Sequence, residues 1–352
     1  MSFLSGTATF RRFRTDGVKP DPFGEEHLDR LVADQAGRQR IASADGVETG
    51  WTAGGHIHDT AFTLDKNVLL EGDVLTFDLR ITAERLPADK LKAYTAIELA
   101  GLSANNPSGF ASAKQKREAK EIARSRLEEE AKDGRFKKHT LVPVLWDRKT
   151  GEVWFGSHSY SHLDRFASLF EHTFGRKVWS LTAGSLSQLD APHAYARHLG
   201  EQAGMVAAPK PSPFIPDVTP DDIAWIPDDT SRDFLGNEFL LWLWHLSESE
   251  TDTIKLADGS EATFMLARWL NLECPRGQTG HEKYAHEGPT RLPEAKRAIQ
   301  AGKLPRLAGL TLVRHDQQYE LKLHAETFAI GALKLPNPSE ENPHARRVER
   351  IE

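Results

Sequence analysis

The sequence predicts an α+β fold, on the basis of two kinds of periodicity. Residues 74–81 alternate strictly between two sides, which is the pattern of a strand with one dry and one wet face. The dry side would carry Leu75, Phe77, Leu79 and Ile81, and the wet side Val74, Thr76, Asp78 and Arg80. The segment EEHLDRLVADQ instead repeats Leu28, Leu31 and Val32 at helical spacing. Strands and helices are therefore expected to share the fold.

The elements are predicted in a regular order. A strand from about Phe3 to Phe13 precedes the first helix, and strands over TAFTLDKN and EGDVLTFDLRITAERLP follow it. The next helix begins at the proline of PADKLKAYTAIELAGL, because proline fits a first helical turn. Beyond the basic segment 113–139, HTLVPVLWDRKTGEVWFGS predicts a strand, a turn and a strand. A helix capped by Ser161 then runs to Gly175, a residue type that ends helices.

The Pro-rich segment MVAAPKPSPFIPDVTPDD is the best candidate for a linker. The length of 352 residues suits about two domains or one elongated unit. The predicted organisation is an N-terminal part over 1–182 with a basic helix and tip, a linker or insertion over 183–232, a C-terminal α+β part over 233–336 and a charged tail over 337–352.

Composition narrows the class of protein. With 39% hydrophobic and 27% charged residues, the chain resembles ordinary globular proteins rather than disordered or fibrous ones. The single cysteine, Cys274, excludes an intramolecular disulfide and indicates a reducing compartment, most simply the cytoplasm. The longest apolar run, Phe239 to Leu246, is far shorter than the roughly 20 residues that span a bilayer. No membrane partner is expected.

Positive charge is concentrated in the segment AKQKREAKEIARSRLEEEAKDGRFKKH. From Lys114 to Lys138 it holds ten Lys and Arg against six Asp and Glu, whereas the whole chain has a formal net charge of −6. At helical spacing the charges sort by face, with Ala119, Ile122, Ala123 and Leu127 on an apolar side and Lys116, Arg117, Lys120 and Arg124 beside it. Sorting of this kind favours a polyanion partner. A solvated surface helix is the alternative.

The continuation GRFKKH places Phe136 among Arg135, Lys137 and Lys138 after a helix-breaking glycine. Three environments are open for this ring. It could stack on a nucleobase, fill a pocket on another subunit, or fold back into its own core.

Several segments together resemble the RdgC family, the recombination-associated, nucleoid-associated DNA-binding proteins of bacteria. They are RITAERLPADKLKAYTAIELAGL, KQKREAKEIARSRL, GRFKKHT, LWDRKTGEVWFGSHS and FASLFEHTFG, and they cover most of residues 1–182. The likeness resumes at EAKRAIQAGKLPRLAGLTLV and YELKLHAETFAIGALKLP. The chain departs from the family at SGFAS, which lacks an expected arginine, and at His286 to Gly288, where the family has a Lys-Lys-Gln run. It therefore resembles a divergent member.

The resemblance implies a curved subunit that forms a ring-shaped homodimer around duplex DNA, binds without sequence preference and opposes recombinase filaments. Expected partners are double- and single-stranded DNA, a second copy of the chain and a recombinase filament, in the cytoplasm and associated with the nucleoid. Phe136 occupies the place of the family's hook into the partner subunit. The expected DNA-binding residues are Lys114, Lys116, Arg117, Lys120, Arg124, Arg135, Lys137 and Lys138.

Other candidate sites have weaker signals. His56, His58 and Asp59 could hold a metal but lack a fourth ligand, and His158 and His162 lack a zinc-enzyme pattern. No nucleotide-binding loop or nucleophile motif occurs, so no catalytic residue, cofactor or metal is expected. Glu320 and Lys322 leave a magnesium-dependent nuclease as one alternative function, and a scaffold with a basic docking helix is another. Trp242 and Trp244, with Phe239 and Leu243, are expected in the core or at a subunit interface.

Overall fold

A long antiparallel sheet organises the molecule. The computed structural model describes Phe3 and residues 6–17, 20–38, 46–104, 106, 110–186, 235–256, 258–274, 280–315 and 317–335. Over these residues the chain is a mixture of helices and antiparallel strands, which confirms the α+β class. The predicted linker beyond residue 186 and the predicted tail lie outside the described residues.

The strands of the described residues form one sheet in the order β10-β9-β11-β12-β13-β1-β6-β5-β4-β2, with β3 beside β4, β7 beside β1 and β8 beside β9. Their bounds are β1 Ala8–Thr15, β2 Glu48–Thr52, β3 Val68–Leu69, β4 Val74–Glu84, β5 Lys137–Asp147, β6 Glu152–Phe155, β7 Val178–Ser180, β8 Thr253–Lys255, β9 Glu261–Glu273, β10 His281–His286, β11 Leu304–Arg314, β12 Gln317–His324 and β13 Ile330–Lys334.

The helices lie between these strands along the chain. They are α1 Glu25–Ala33, α2 Leu64–Asn67, α3 Ala88–Ser103, α4 Ala113–Ala131, α5 Tyr160–Phe174, α6 Leu235–Ser249 and α7 Pro293–Gln300, with short 3-10 helices at Leu70–Gly72 and Pro289–Arg291. Helix α5 begins one residue after Ser159, so the predicted cap at Ser161 is wrong. It ends as predicted at Gly175, whose φ of 65° is the left-handed conformation that glycine adopts at little cost.

Strand β1 pairs with strands from two distant parts of the chain. Its first residues pair with β13, as Ala8 does with Leu333, and its later residues pair with β6, as Arg11 does with Phe155. The observed strand begins at Ala8, several residues later than the predicted start at Phe3. A single strand thus connects the half of the sheet formed by residues 48–180 to the half formed by residues 253–334.

Each half of the sheet has its own apolar core. In the first half, α1 and α5 cover the face that carries Trp51, Phe77 and Trp146. The indole of Trp51 is fully buried and donates to the Thr173 hydroxyl at 2.8 Å, and that hydroxyl donates to Asp34 Oδ2 at 2.7 Å. This bond favours the folded state, because leaving a buried N–H unsatisfied costs about 1–3 kcal/mol.

In the second half, α6 and α7 cover strands β9 and β11. Leu240, Leu243 and Trp244 of α6 are buried against residues such as Phe264 and Leu270. Of the two environments expected for Trp242, the core is wrong, because its side chain is 46% exposed on the side of α6 opposite Leu240. The Trp242 ring lies 5.9 Å from that of Phe239. A subunit interface stays a prediction.

The face of β4 opposite the apolar core was predicted to contact solvent, but this face is largely covered. Asp78 and Arg80 are 7% and 8% exposed, since residues 53–67 fold across this face. Asn67 holds that segment in place, because its amide donates to Ala53 O at 3.2 Å and to Thr76 O at 2.7 Å. The predicted strand over TAFTLDKN is therefore wrong, and helix α2 lies at its end. The alternation of β4 was read correctly, but a loop covers its polar side.

Candidate nucleic-acid interface

Helices α3 and α4 form an arm that connects the end of β4 to the start of β5. The two strands pair continuously from Val74 opposite Asp147 to Glu84 opposite Lys137. The arm is attached at the end of the ladder where Glu84 pairs with Lys137. The helices are antiparallel, since contacts near the base of the arm join Tyr94 to Glu130 and contacts near its tip join Leu102 to Gln115.

The tip of the arm is fixed by the first turn of α4. Ser112 and Gln115 form a capping box, in which the Ser112 hydroxyl accepts from the backbone N–H of Gln115 and the Gln115 side chain accepts from that of Ser112. Gln115 Nε2 also donates to Leu102 O at 2.6 Å, which ties the start of α4 to the end of α3. The sequence AKQKREA becomes helical at a defined residue for this reason.

Small side chains allow the two helices to approach closely. Ala119, Ala123, Leu127 and Ala131 are buried and recur every four residues along α4. Three of the four predicted apolar positions are thus buried, whereas Ile122 is 41% exposed. No residue of α3 is fully buried, so the arm is held by a narrow seam and by polar contacts.

The polar contacts of the arm lie toward its base. The Tyr94 hydroxyl donates to Glu130 Oε1 at 2.6 Å and holds the pKa of that carboxyl below its ordinary value. Arg126 lies 3.9 Å from Glu98 and over the Tyr94 ring. The negative charge near the C-terminal end of α4 is therefore in contact with other side chains of the arm.

The cationic side chains near the tip, in contrast, are exposed and mostly without ion pairs among the described residues. Lys114, Lys116, Arg117, Lys120 and Arg124 are all exposed and lie in the first twelve residues of α4. Among the described residues only Arg124 of these five has an ion pair, at 2.8 Å from Glu128. Lys116, Lys120 and Arg124 are spaced by four residues and form one row beside the buried seam.

The remaining predicted cations lie in the turn after α4, which holds Arg135, and at the start of β5, which holds Lys137 and Lys138. Arg135 is held by Asp133, with Nε 2.7 Å from Oδ2, and Lys137 Nζ lies 3.4 Å from Glu48 Oε1. Lys138 is exposed. Hydrogen bonding to Arg135 lowers the pKa of the Asp133 carboxyl. Arg135 and Lys137 therefore contribute less net positive charge than the cations near the tip.

Phe136 is half-buried in the same turn. Its backbone oxygen accepts from Arg85 N at 3.0 Å, and Lys90 Nζ lies 5.0 Å from the centre of its ring. The ring therefore lies near Lys90 of the arm and is partly exposed.

Phe110 is an aromatic residue that the sequence interpretation passed over. It stands just before α4 and is 83% exposed, the highest value among the large apolar side chains of the described residues. The signal was its place in the short break SGFAS between two helices, immediately before the cationic row.

The weaker metal candidates do not converge. Asp59 forms an ion pair with Lys66, and His56 Nδ1 accepts from the backbone of His58 at 3.1 Å. His158 Nε2 lies 3.3 Å from Ile330 O, and His162 Nδ1 lies 3.0 Å from the Ser157 hydroxyl. The described part of the chain contains no group of three side chains placed to hold a metal ion.

The Glu320 and Lys322 pair is likewise occupied by other contacts. Glu320 accepts from Lys334 Nζ at 2.8 Å and from Arg268 Nη1 at 2.7 Å, and these contacts lower its pKa. Lys322 Nζ lies 3.9 Å from the centre of the Trp269 ring. The carboxylate faces cations of its own sheet.

No helix in the described ranges is long and apolar enough to cross a membrane. Comparison of the sequence with protein-family models gave no match, and comparison with curated proteins gave none.

Proposed function

We propose that the chain is a sequence-independent DNA-binding protein whose main DNA contact is the tip half of α4. The observation that carries this proposal is the order of charges along that helix. Lys114, Lys116 and Arg117 lie at its N-terminal end, and Glu128, Glu129 and Glu130 lie near its C-terminal end. This order opposes the helix dipole, at a cost of about 0.3–1 kcal/mol for a charge in a terminal turn. Helix stability therefore does not account for it.

A polyanion accounts for this order. The cations and the positive end of the helix dipole add at the tip of the arm, where they would attract phosphates. Contacts from Lys and Arg to phosphates supply affinity without reading bases, so binding is proposed to be independent of sequence. Phe110 precedes this row in the sequence and is 83% exposed, and an exposed aromatic ring near cations can stack on an unpaired base, which extends the proposal to single strands.

The assembly is proposed from the resemblance to the RdgC family. Two copies would close into a ring around duplex DNA, with Phe136 at one contact, and would restrain recombinase filaments on the nucleoid. The half-buried Phe136 ring supports this proposal, because part of its surface remains available to a partner.

We further propose that binding occurs without catalysis. With magnesium present, linear and circular DNA should be retarded in gels yet remain intact, and cleavage abolished by Glu320→Ala would overturn this part.

The proposal is tested by changing Lys116, Lys120 and Arg124 together to Gln. Each phosphate contact contributes about 0.9 to the slope of log K against log salt, so the loss of three should flatten the slope by up to about 2.7 per subunit engaged. The matched control changes three exposed cations away from the arm, Lys255, Lys283 and Arg297, to Gln and alters net charge equally. Equal slopes in the two triple variants would contradict the proposal.

A further inference from the structure

A polar cavity of about 580 Å³ lies at the base of the arm, a volume within the range of small-molecule sites. It is lined by the ends of β2, β4 and β5 and by the segments around residues 35–38 and 58–60. Arg80, Thr82 and His139 bring side chains to it from the face of the sheet that residues 53–67 partly cover. The row of cations near the tip of α4 is not part of its lining.

Arg80 is the least accessible charge of this cavity. The residue is 8% exposed, and its Nη1 donates to Ile57 O at 2.8 Å. Its Nε is buried without a hydrogen-bond partner, and no carboxylate of the described residues forms an ion pair with it. A guanidinium stays charged in proteins, and a buried charge without a counter-ion costs several kcal/mol. Among the described residues, Arg80 therefore holds a buried positive charge with no carboxylate in direct contact, and Glu48 acts on it only through its longer-range charge.

Glu48 is the one carboxylate among the described residues of the lining. It lies 3.4 Å from Lys137, and its charge also acts on Arg80 without forming an ion pair with it. Arg38 adds a third cation, so among the described residues of the lining three cationic side chains face one carboxylate. The excess of two positive charges matches a dianion better than a single carboxylate.

Neutral hydrogen-bonding groups complete the cavity. The Thr82 hydroxyl lies 2.9 Å from His139 Nδ1, and the rings of His58 and His139 are 6.0 Å apart. Burial, followed by the charge of Arg80, lowers the pKa of His139. An anion bound beside it would oppose that shift.

We propose that this cavity binds a phosphoryl group, presented by a small phosphate monoester or by the terminal phosphate of a nucleic acid. Arg80 supplies the buried counter-charge, because a guanidinium can donate two parallel N–H bonds to phosphate oxygens. Lys137 and the imidazoles of His58 and His139 supply further donors. A monoester carries a charge of about −1.5 to −2 at neutral pH, which the excess positive charge of the lining can neutralise. The proposal stands independently of duplex binding by α4.

Titration of the full chain with adenosine 5′-monophosphate, inorganic phosphate and adenosine, at constant ionic strength in chloride, tests the proposal. Calorimetry should show saturable binding of the first two and none of adenosine. Arg80→Met should weaken binding at least tenfold. The matched control is Arg11→Met, which removes another buried arginine with an unpartnered Nε outside this cavity. Equal weakening by both variants, or binding unaffected by Arg80→Met, would overturn the proposal.

A second readout does not require the Arg80 variant to fold. In the unsubstituted protein, phosphate should shift the ring resonances of His58 and His139, assigned with His58→Gln and His139→Gln, and should leave that of His245 in place. Oligonucleotides with and without a 5′-phosphate separate the two sources of the phosphoryl group, since a nucleic-acid end predicts binding of the phosphorylated strand alone. Stronger binding of citrate than of either phosphate compound, or unchanged histidine resonances, would contradict a phosphoryl site.

Discussion

Arg124 on the arm and Arg80 in the sheet carry the same guanidinium in opposite surroundings. The Arg124 side chain is 68% exposed and lies 2.8 Å from Glu128, whereas Arg80 is 8% exposed and has no carboxylate partner among the described residues. An exposed ion pair contributes about 0–1 kcal/mol to stability, while a buried unpaired charge opposes folding. We therefore expect the charge of Arg124 to be replaceable without unfolding the protein, whereas the buried charge of Arg80 should affect folding or ligand binding.

The largest expected effect concerns the apolar core beneath the sheet. Trp51→Ala should lower the free energy of unfolding by about 3–5 kcal/mol, because it empties a fully buried site and leaves the Thr173 hydroxyl without its donor. The matched change on the arm is Ile97→Ala, at a side chain that is 59% exposed, with an expected effect within about 0.5 kcal/mol. Urea denaturation of both variants measures the difference. Similar losses would remove the distinction between arm and sheet.

The effect of the buried Asp78 carboxyl on the stability of the protein depends on pH. Burial raises its pKa to about 6, above the unfolded value of about 3.9, so the native state binds this proton more tightly than the unfolded state does. The associated stability is complete below the unfolded pKa and is lost as pH rises through about 6. Asp78→Asn should therefore stabilise the protein at pH 7.5 by roughly 2–3 kcal/mol, at 1.36 kcal/mol per pKa unit, with little gain at pH 4.

Asp65→Asn is the control for Asp78→Asn, because it makes the same charge change at an exposed residue of α2. Its effect should be within about 0.5 kcal/mol at both pH values. A gain from Asp78→Asn that is equal at pH 4 and pH 7.5 would show that removal of a buried charge is not its cause.

Phe136→Ala tests the base of the arm. If the ring anchors a second subunit, its loss should weaken dimerisation by about 2 kcal/mol or more while the melting temperature of the subunit changes little. Sedimentation measures the dimer, and circular dichroism measures the melting. Phe110→Ala, at the other end of the arm, should leave the dimer unchanged. A large fall in melting temperature for Phe136→Ala would instead assign that ring to the subunit's own core.

Local patterns in the sequence were sufficient for much of the fold. The alternation of 74–81 and the turn at DRKTG predicted β4 and the β5–β6 hairpin, in which Asp147 Oδ1 accepts from Lys149 N at 2.7 Å. The covering of Asp78 and Arg80 was not predictable in this way, because it depends on hydrogen bonds that Asn67 makes to distant backbone. The same holds for the pairing of β1 with β13, whose residues are more than 300 positions apart.

The two candidate sites also differ in how far the sequence alone predicts them. The cations of α4 lie within one helix, so helical spacing alone predicted their row. The cavity around Arg80 gathers Arg38, Glu48, His58 and His139 from separate segments, and no local pattern joins them. The sequence placed Arg80 on the polar side of an alternating strand, where an arginine is expected in solvent, so it gave no signal of the cavity.

The most direct test of DNA binding by the arm is a salt titration of the unsubstituted protein with two duplexes of unrelated sequence. Fluorescence anisotropy between about 50 and 200 mM salt should give straight lines of log K against log salt, with the same slope for both duplexes and a magnitude of at least about 2.7, as three phosphate contacts require. A slope near zero, no binding to either duplex, or strong preference for one of the two would contradict the proposal that the tip half of α4 binds the phosphates of DNA.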